Sequence, residues 1–213
     1  KTQFATLTLA VLGGLGALAM PGISHAATVG HYFNCAGQGT TAMANAITAS
    51  GHTPVNVAVP NAATLATLDV LWVNHNYAVL CPSGDDEWMA NLAAINDAVQ
   101  NHGLTLLVFD RVVNDSANGT IASTFVPGAS SISFVDSGTA NIDLPAGSPL
   151  LAEGLNNTTL DGGNSSAHGY GAASTLPGGA QIWANDGTAD HASMFSYPLG
   201  VGTVVYSTFP LDH

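Results

Sequence analysis

Three acid–base side chains lie at or just past the ends of apolar segments in this chain: His31, His75 and Asp110. A histidine beside a carboxylate can act as a general base when a nucleophile is within reach. His75 also lies between Asn74 and Asn76, whose amides could bind a ligand at the same place. The sequence therefore gives two hypotheses. One is a His/Asp site with polar ligand-binding neighbours, and the other is a set of polar groups that satisfy exposed backbone at strand ends.

Arg111 is the only lysine or arginine of the chain apart from Lys1. Its guanidinium can donate several hydrogen bonds and can pair with a carboxylate in a fixed geometry. We interpret Arg111 first as a structural clamp, with Asp110, Asp115 or Asp136 as its partner. The alternatives are an anion-binding role and a catalytic role, because a charged group at a strand end can serve structure as readily as function.

The two cysteines, Cys35 and Cys81, each follow a predicted strand. An even number of cysteines in an exported chain favours a Cys35–Cys81 disulfide, because exported proteins fold in an oxidising compartment. Free structural thiols, or a catalytic thiol with a partner base, are the alternatives. Two thiols alone do not complete a closed zinc site, which needs four ligands.

Two further histidines and three aspartates are candidates for binding a cation: His168, His191, Asp161, Asp186 and Asp190. The segment "DGTAD", residues 186–190, resembles an acidic calcium loop only loosely. It lacks the alternating aspartate spacing and the terminal glutamate of such loops. The sequence therefore predicts no metal site and no cofactor.

The composition predicts an acidic globular protein. The 213 residues include 14 acidic and two basic side chains, for a formal net charge of −12. Such a surface repels phosphates, so we expect no nucleic-acid partner. With 46% apolar residues the chain can bury a core, and its length suits one domain. A glycan, a peptide or a surface protein is the kind of partner that remains.

The first 26 residues have the pattern of a secretory signal peptide. A single lysine precedes an apolar core at residues 4–20, a Pro-Gly pair follows, and residues 24–26 form a small-x-small cleavage site. We expect removal of residues 1–26, no later membrane insertion, and a secreted or periplasmic protein that could attach to the cell surface. If residues 4–20 are retained instead, the alternative is a membrane anchor or a filament subunit.

Residues 27–110 alternate between strand and helix patterns. Strands are predicted at 27–35, 53–59, 68–76 and 104–110. The clearest helix, residues 83–103, carries Trp88, Leu92, Ile95 and Val99 on one face at spacings of 4, 3 and 4. Strands that alternate with helices imply a parallel sheet with right-handed crossovers, so the predicted fold class is α/β.

The predicted domain spans residues 27–213. After residue 110 its sequence no longer alternates regularly between strand and helix patterns. A polar, loop-rich insertion is predicted around 114–178, with short strand candidates at 131–137 and 140–144, a helical turn at 148–155 and a long excursion at 156–174. Strands return at 180–186, 191–199 and 202–209. Gly200 and Gly202 predict a tight hairpin between the last two strands.

This order resembles the class I glutamine amidotransferase-like fold, including its trehalose-utilisation-type branch. The segments "LDVLWVNHN", "AAINDAVQNHGLTLLVFD" and "YPLGVGTVVYSTFPLDH" carry the resemblance. It implies a three-layer sandwich, in which helices flank a mainly parallel sheet and a C-terminal β-hairpin completes it. The Gly/Ser/Asn-rich texture also resembles exported bacterial proteins of the PEP-CTERM sorting class.

The chemistry of that family is missing from the matching positions. Where active amidotransferases have a Gly-x-Cys-x-Gly elbow, this chain reads Phe-Asp-Arg-Val at 109–112. The family's late Phe-His-Pro-Glu motif is echoed only by "TFPLDH" at 208–213, without the histidine before proline. The resemblance implies an exported domain that lacks this catalysis, and a binding module of the cell surface or extracellular matrix is the first hypothesis. The alternative is an extracellular hydrolase that uses His75 or His31 with Asp110.

Overall fold

The computed structural model describes residues 26–34, 39–75, 84–114, 121–162 and 166–209. Its strands are β1 (Thr28–Asn34), β2 (Thr53–Asn56), β3 (Val70–His75), β4 (Thr105–Asp110), β5 (Phe134–Thr139), β6 (Ala167–Ala172), β7 (Gln181–Asn185), β8 (His191–Leu199) and β9 (Gly202–Ser207). Its helices are α1 (Gly39–Ala49), α2 (Ala62–Leu65), α3 (Gly84–His102), α4 (Ala122–Phe125) and α5 (Pro149–Ala152), with a 3-10 turn at Ala173–Thr175.

The described strands form one mixed sheet in the order β2-β1-β3-β4-β9-β8-β6-β5, and β7 pairs with β8 beside this path. Neighbouring strands from β2 to β9 are parallel. The pairs β9–β8, β8–β6, β8–β7 and β6–β5 are antiparallel. The predicted α/β class is therefore confirmed, with an antiparallel half added to the parallel one.

Two apolar cores lie on opposite faces of the sheet, which makes the predicted three layers. In β4, Leu106 and Val108 belong to the core that contains Trp88 of α3. Leu107 and Phe109 alternate with them and belong to the core that contains Met43 of α1. Because β3 and β4 are buried on both faces, their sequences are almost uninterrupted apolar runs.

The predicted apolar stripe of α3 faces the sheet. Trp88, Ile95 and Val99 are buried, and Leu92 is half-buried at the margin of the stripe. The indole Nε1 of Trp88 donates a 3.0 Å hydrogen bond to the carbonyl of Phe125, so it ties α3 to α4. Truncating Ile95 to alanine would cost roughly 2–5 kcal/mol, because the cavity would form in a filled core.

The C-terminal hairpin is confirmed. Leu199 of β8 pairs with Gly202 of β9, and only Gly200 and Val201 lie between them. Gly200 has a φ of 61°, which glycine adopts without steric cost. This short connection fixes the register of β8 against β9.

One prediction is wrong within the segment 156–174, which we interpreted as a long excursion. Residues Ala167–Ala172 form β6, which pairs with β5 and β8 inside the sheet. The glycines that suggested a loop are packing residues, because a Cβ on Gly169 would lie 2.2 Å from the carbonyl oxygen of Val135. A strand that must approach its neighbour this closely needs glycine.

The parallel strands β1, β3, β4 and β9 end at a common edge of the sheet. The segments that follow them, 35–38, 76–83, 115–120 and 210–213, lie outside the described residues, as does the predicted leader core at 4–20. None of the helices in the described ranges has the length and apolar character needed to cross a membrane.

Candidate functional site

Asp110, the last residue of β4, is the centre of a buried hydrogen-bond network at this common edge. Its Oδ1 lies 2.7 Å from Nδ1 of His75 and accepts the backbone N–H groups of Val112 and Val113 at 2.8 and 3.1 Å. Its Oδ2 accepts the hydroxyl of Tyr206 at 2.7 Å. An ionised carboxylate only accepts, so Nδ1 of His75 carries the hydrogen in this contact. Four donors thus offset the cost of burying the charge.

The registers of three neighbouring strands bring these side chains together. His75 of β3 pairs directly with Asp110 of β4, and both residues end their strands. On the other side of β4, Tyr206 of β9 pairs with Val108. Asp110 lies two residues beyond Val108 and therefore on the same face of β4, where the hydroxyl of Tyr206 reaches it.

The network is enclosed by aromatic rings. His75 is 3% exposed, Asp110 and Tyr206 are fully buried, and the imidazole of His75 lies 4.4 Å from the ring of Phe125. The ring of Tyr206 lies 4.9 Å from that of Phe134. Burial raises the pKa of Tyr206 well above its ordinary value, and the charge of Asp110 and the hydrogen bond to it raise it further. Tyr206 therefore remains a hydrogen-bond donor at every physiological pH.

The turn after β4 is strained. Val113 has a φ of 54°, in the left-handed region that β-branched residues rarely adopt. Its side chain is fully buried, its N–H donates to Asp110, and its carbonyl accepts the N–H of Ala122 at 2.9 Å. A strained turn directly after a central strand is a position typical of catalytic nucleophiles. Here the strained residue is a valine, whose side chain cannot act as a nucleophile.

His31 and Asn74 lie on the opposite face of the sheet from this network. Val29 of β1 belongs to the core under α1, and His31, two residues on, shares its face. Asn74 alternates with His75 in β3 and shares that opposite face. The structure thus joins His75 to Asp110 but leaves His31 apart from both. Burial lowers the pKa of His31, which favours its neutral form.

Arg111 and the remaining ligand candidates were predicted beside this network. Arg111 donates its backbone N–H to the carbonyl of His75 at 3.0 Å, and its side chain is half-buried. Asn76, Cys35 and Cys81 lie outside the described residues, so their predicted roles stay predictions.

The five cation candidates do not form one cluster in the described structure. Asp161 and Asp190 each accept a backbone N–H, and Asp186 lies 2.8 Å from Nδ1 of His191. Within the described ranges, no three histidine, cysteine, aspartate or glutamate side chains come together in a way that could hold a metal ion.

Two members of the site, Tyr206 and Val113, were not predicted as functional residues. Tyr206 follows the alternation of β9, in which Val204 and Tyr206 face one core and Val205 the other. That alternation was readable in the sequence, but the pairing of β9 with β4 was not. Nothing in the sequence around Val113 marks its left-handed backbone.

No known family model matches the sequence, and no curated protein matches it. Among solved structures, the chain is similar to a candidate GMP synthase subunit from Thermoplasma acidophilum. The two are 15% identical, with a TM-score of 0.49 over 88% of this chain and 85% of that one. It is also similar to the exo-β-1,4-mannosidase Op5Man5 from an Opitutaceae bacterium, at 14% identity and a TM-score of 0.46 over 86% of this chain. The match covers 31% of the mannosidase. Likenesses at this level concern the overall fold and say nothing about reaction or ligand.

Proposed function

We propose that this chain is an exported, non-catalytic domain with an amidotransferase-like arrangement of strands and helices, and that it acts as a binding module at the cell surface or in the extracellular matrix. The observation that carries the proposal is the turn after β4. Its strained residue is the buried Val113, and the carboxylate of Asp110 is occupied by two amides of the same turn.

The buried network supports a structural role for these polar groups. Asp110 bonds to one residue on each neighbouring strand, His75 on β3 and Tyr206 on β9. Such a network holds the ends of three strands in register and leaves little of any group in contact with solvent. A catalytic imidazole has to reach a substrate, and His75 is only 3% exposed.

The export part of the proposal is tested by the mass of the processed protein. The full chain, expressed with its own N-terminal segment in a bacterial host, is expected to yield a protein that begins at Ala27 in the extracellular or periplasmic fraction. A protein that keeps residues 4–20 and sediments with membranes or filaments contradicts export as a free domain and favours the filament alternative.

The non-catalytic part is tested by turnover. The purified protein is assayed for hydrolysis of glutamine and of chromogenic ester, phosphate and glycoside substrates. We expect rates equal to those of the His75→Gln and Asp110→Asn variants, which preserve side-chain size. A rate that is at least about a hundredfold higher in the unmodified protein than in both variants contradicts the proposal.

A hydrolase centred on His75 and Asp110 is the second candidate, and one observation favours it. The 2.7 Å contact between Nδ1 of His75 and Oδ1 of Asp110 is the geometry in which a carboxylate orients a catalytic imidazole. The turnover assay decides between the two candidates, since only the hydrolase loses its activity in both variants.

A further inference from the structure

Tyr170 and His191 form a stacked aromatic pair beside the end of β9. Their ring centroids lie 3.6 Å apart and their planes differ by 9°. Thr208, the residue that follows β9, donates its hydroxyl to the carbonyl of Gly169 at 2.7 Å, which places Tyr170 next to the edge where the parallel strands end. Open α/β sheets bind their ligands at this edge.

The pair is held in place by Asp186. Its Oδ2 lies 2.8 Å from Nδ1 of His191, and its Oδ1 accepts the N–H of Thr188 at 3.0 Å. The imidazole is thus fixed by a hydrogen bond on one side and by the ring of Tyr170 on its face. A ligand that contacts rings already held in one orientation loses less conformational entropy on binding.

Both rings keep contact with solvent and have polar atoms to offer. The side chain of His191 is 29% exposed, and Tyr170 is half-buried. In the described part of the chain, the hydroxyl of Tyr170 and Nε2 of His191 have no hydrogen-bond partner. Because each ring covers one face of the other, the pair offers a ligand the outer faces and edges of the rings, together with two groups that can form hydrogen bonds.

These features fit a sugar better than a charged ligand. The C–H face of a pyranose packs against an aromatic ring, and its hydroxyls both donate and accept hydrogen bonds, as the tyrosine hydroxyl and the imidazole do. The net charge of −12 repels anions. Within the described residues, no three histidine, cysteine, aspartate or glutamate side chains come together here in a way that could hold a metal cation.

We propose that the Tyr170–His191 pair binds a neutral glycan. This inference rests on the proposed binding function and names the class of its ligand. The residues with roles are Tyr170 and His191, which contact the sugar, and Asp186, which positions His191.

The test measures the binding of cello-, manno-, laminari-, chito- and malto-hexaose to the full-length protein by isothermal titration calorimetry. At least one of these neutral oligosaccharides is expected to bind. Tyr170→Leu, which keeps apolar bulk but removes the ring, is expected to weaken that binding about tenfold or more, and Asp186→Asn is expected to weaken it less. Val59→Ala, an exposed position outside the pair, is the control and should bind as the unmodified protein does.

Circular dichroism and thermal unfolding show whether Tyr170→Leu is folded. If it is not, Tyr170→Phe takes its place. This variant keeps the stack and lacks only the hydroxyl, and weaker binding is again expected. Binding that Tyr170→Leu or Tyr170→Phe leaves unchanged overturns this site but leaves the proposed binding function standing. Failure of all five oligosaccharides to bind overturns the glycan as ligand. Failure of the proposed function itself would instead appear as turnover in the hydrolysis assays, which do not depend on this pair.

Discussion

The hydroxyl of Tyr206 donates a 2.7 Å hydrogen bond to Oδ2 of Asp110, and both side chains are fully buried. A bond from a neutral donor to a buried carboxylate is among the stronger hydrogen bonds in a protein, and losing it leaves part of the charge unsolvated. This contact joins β9, the last of the described strands, to β4 near the centre of the sheet.

Replacing Tyr206 with phenylalanine should therefore destabilise the domain by about 1.5–3 kcal/mol in urea denaturation. Tyr197→Phe is a matched control, because Tyr197 is equally buried and donates to a neutral acceptor, the carbonyl of Pro127. The control should cost only about 0.5–1.5 kcal/mol. Equal losses in the two variants would contradict the stronger contribution of the Tyr206–Asp110 hydrogen bond.

The strained turn gives a second prediction. Val113→Gly and Val112→Gly both remove a buried valine side chain, but only Val113 has a positive φ. Glycine relieves that strain, so Val113→Gly should cost roughly 1–3 kcal/mol less than Val112→Gly. Both free energies of unfolding are measured by urea denaturation. A larger loss at Val113 than at Val112 would show that the turn is not strained.

Alkaline pH should destabilise the fold through its buried tyrosines. Burial raises the pKa of Tyr197, and burial together with Asp110 raises that of Tyr206 above the ordinary 10.0. The unfolded state releases these protons at lower pH than the folded state does, so stability is full below pH 10 and declines as the pH rises above it. Urea denaturation between about pH 8 and pH 11 should show this decline, with a shallower slope in Tyr206→Phe. A slope equal to that of the unmodified protein would exclude Tyr206 as the cause.

Acidic pH should also destabilise the fold, through His31, whose pKa burial shifts in the opposite direction to that of the tyrosines. Burial lowers its pKa below the ordinary 6.5, so the unfolded state takes up a proton at higher pH than the folded state does. Stability present above pH 6.5 is therefore lost as the pH falls further. His31→Gln should flatten the loss of stability between about pH 7 and pH 5. Parallel curves for His31→Gln and the unmodified protein would contradict this assignment.

The Cys35–Cys81 disulfide remains a prediction, and the pairing of β1 with β3 gives a reason to expect the two cysteines near each other. Asn34 of β1 pairs with His75 of β3, so Cys35 directly follows the end of a strand whose neighbour leads to Cys81. Alkylation of the unreduced, unfolded protein should label neither cysteine in a mass spectrum. Cys35→Ser and Cys81→Ser should each lower stability by roughly 3–4 kcal/mol. Full alkylation without reductant would rule out the bridge.

The parallel half of the fold was predictable because the apolar residues of its strands and helices follow the pattern of their burial. Strands β3 and β4 are apolar runs, and α3 carries a buried stripe from Trp88 to Val99. Strand β6 was missed because its glycines serve close packing against Val135, and composition alone does not separate that use from a loop. The contact of His75 with Asp110 follows once the register of β3 against β4 is known. The contact of Tyr206 with Asp110 depends on the pairing of β9 with β4. The two residues are 96 positions apart in the sequence, and no local sequence pattern predicts that pairing.

The last strand along the described chain, β9, lies inside the sheet between β4 and β8. Until Gly202–Ser207 has left the ribosome, β4 has an open backbone edge and neither core can close. The described sheet can therefore close only after β9 has been synthesised, and both cores are completed together at that point.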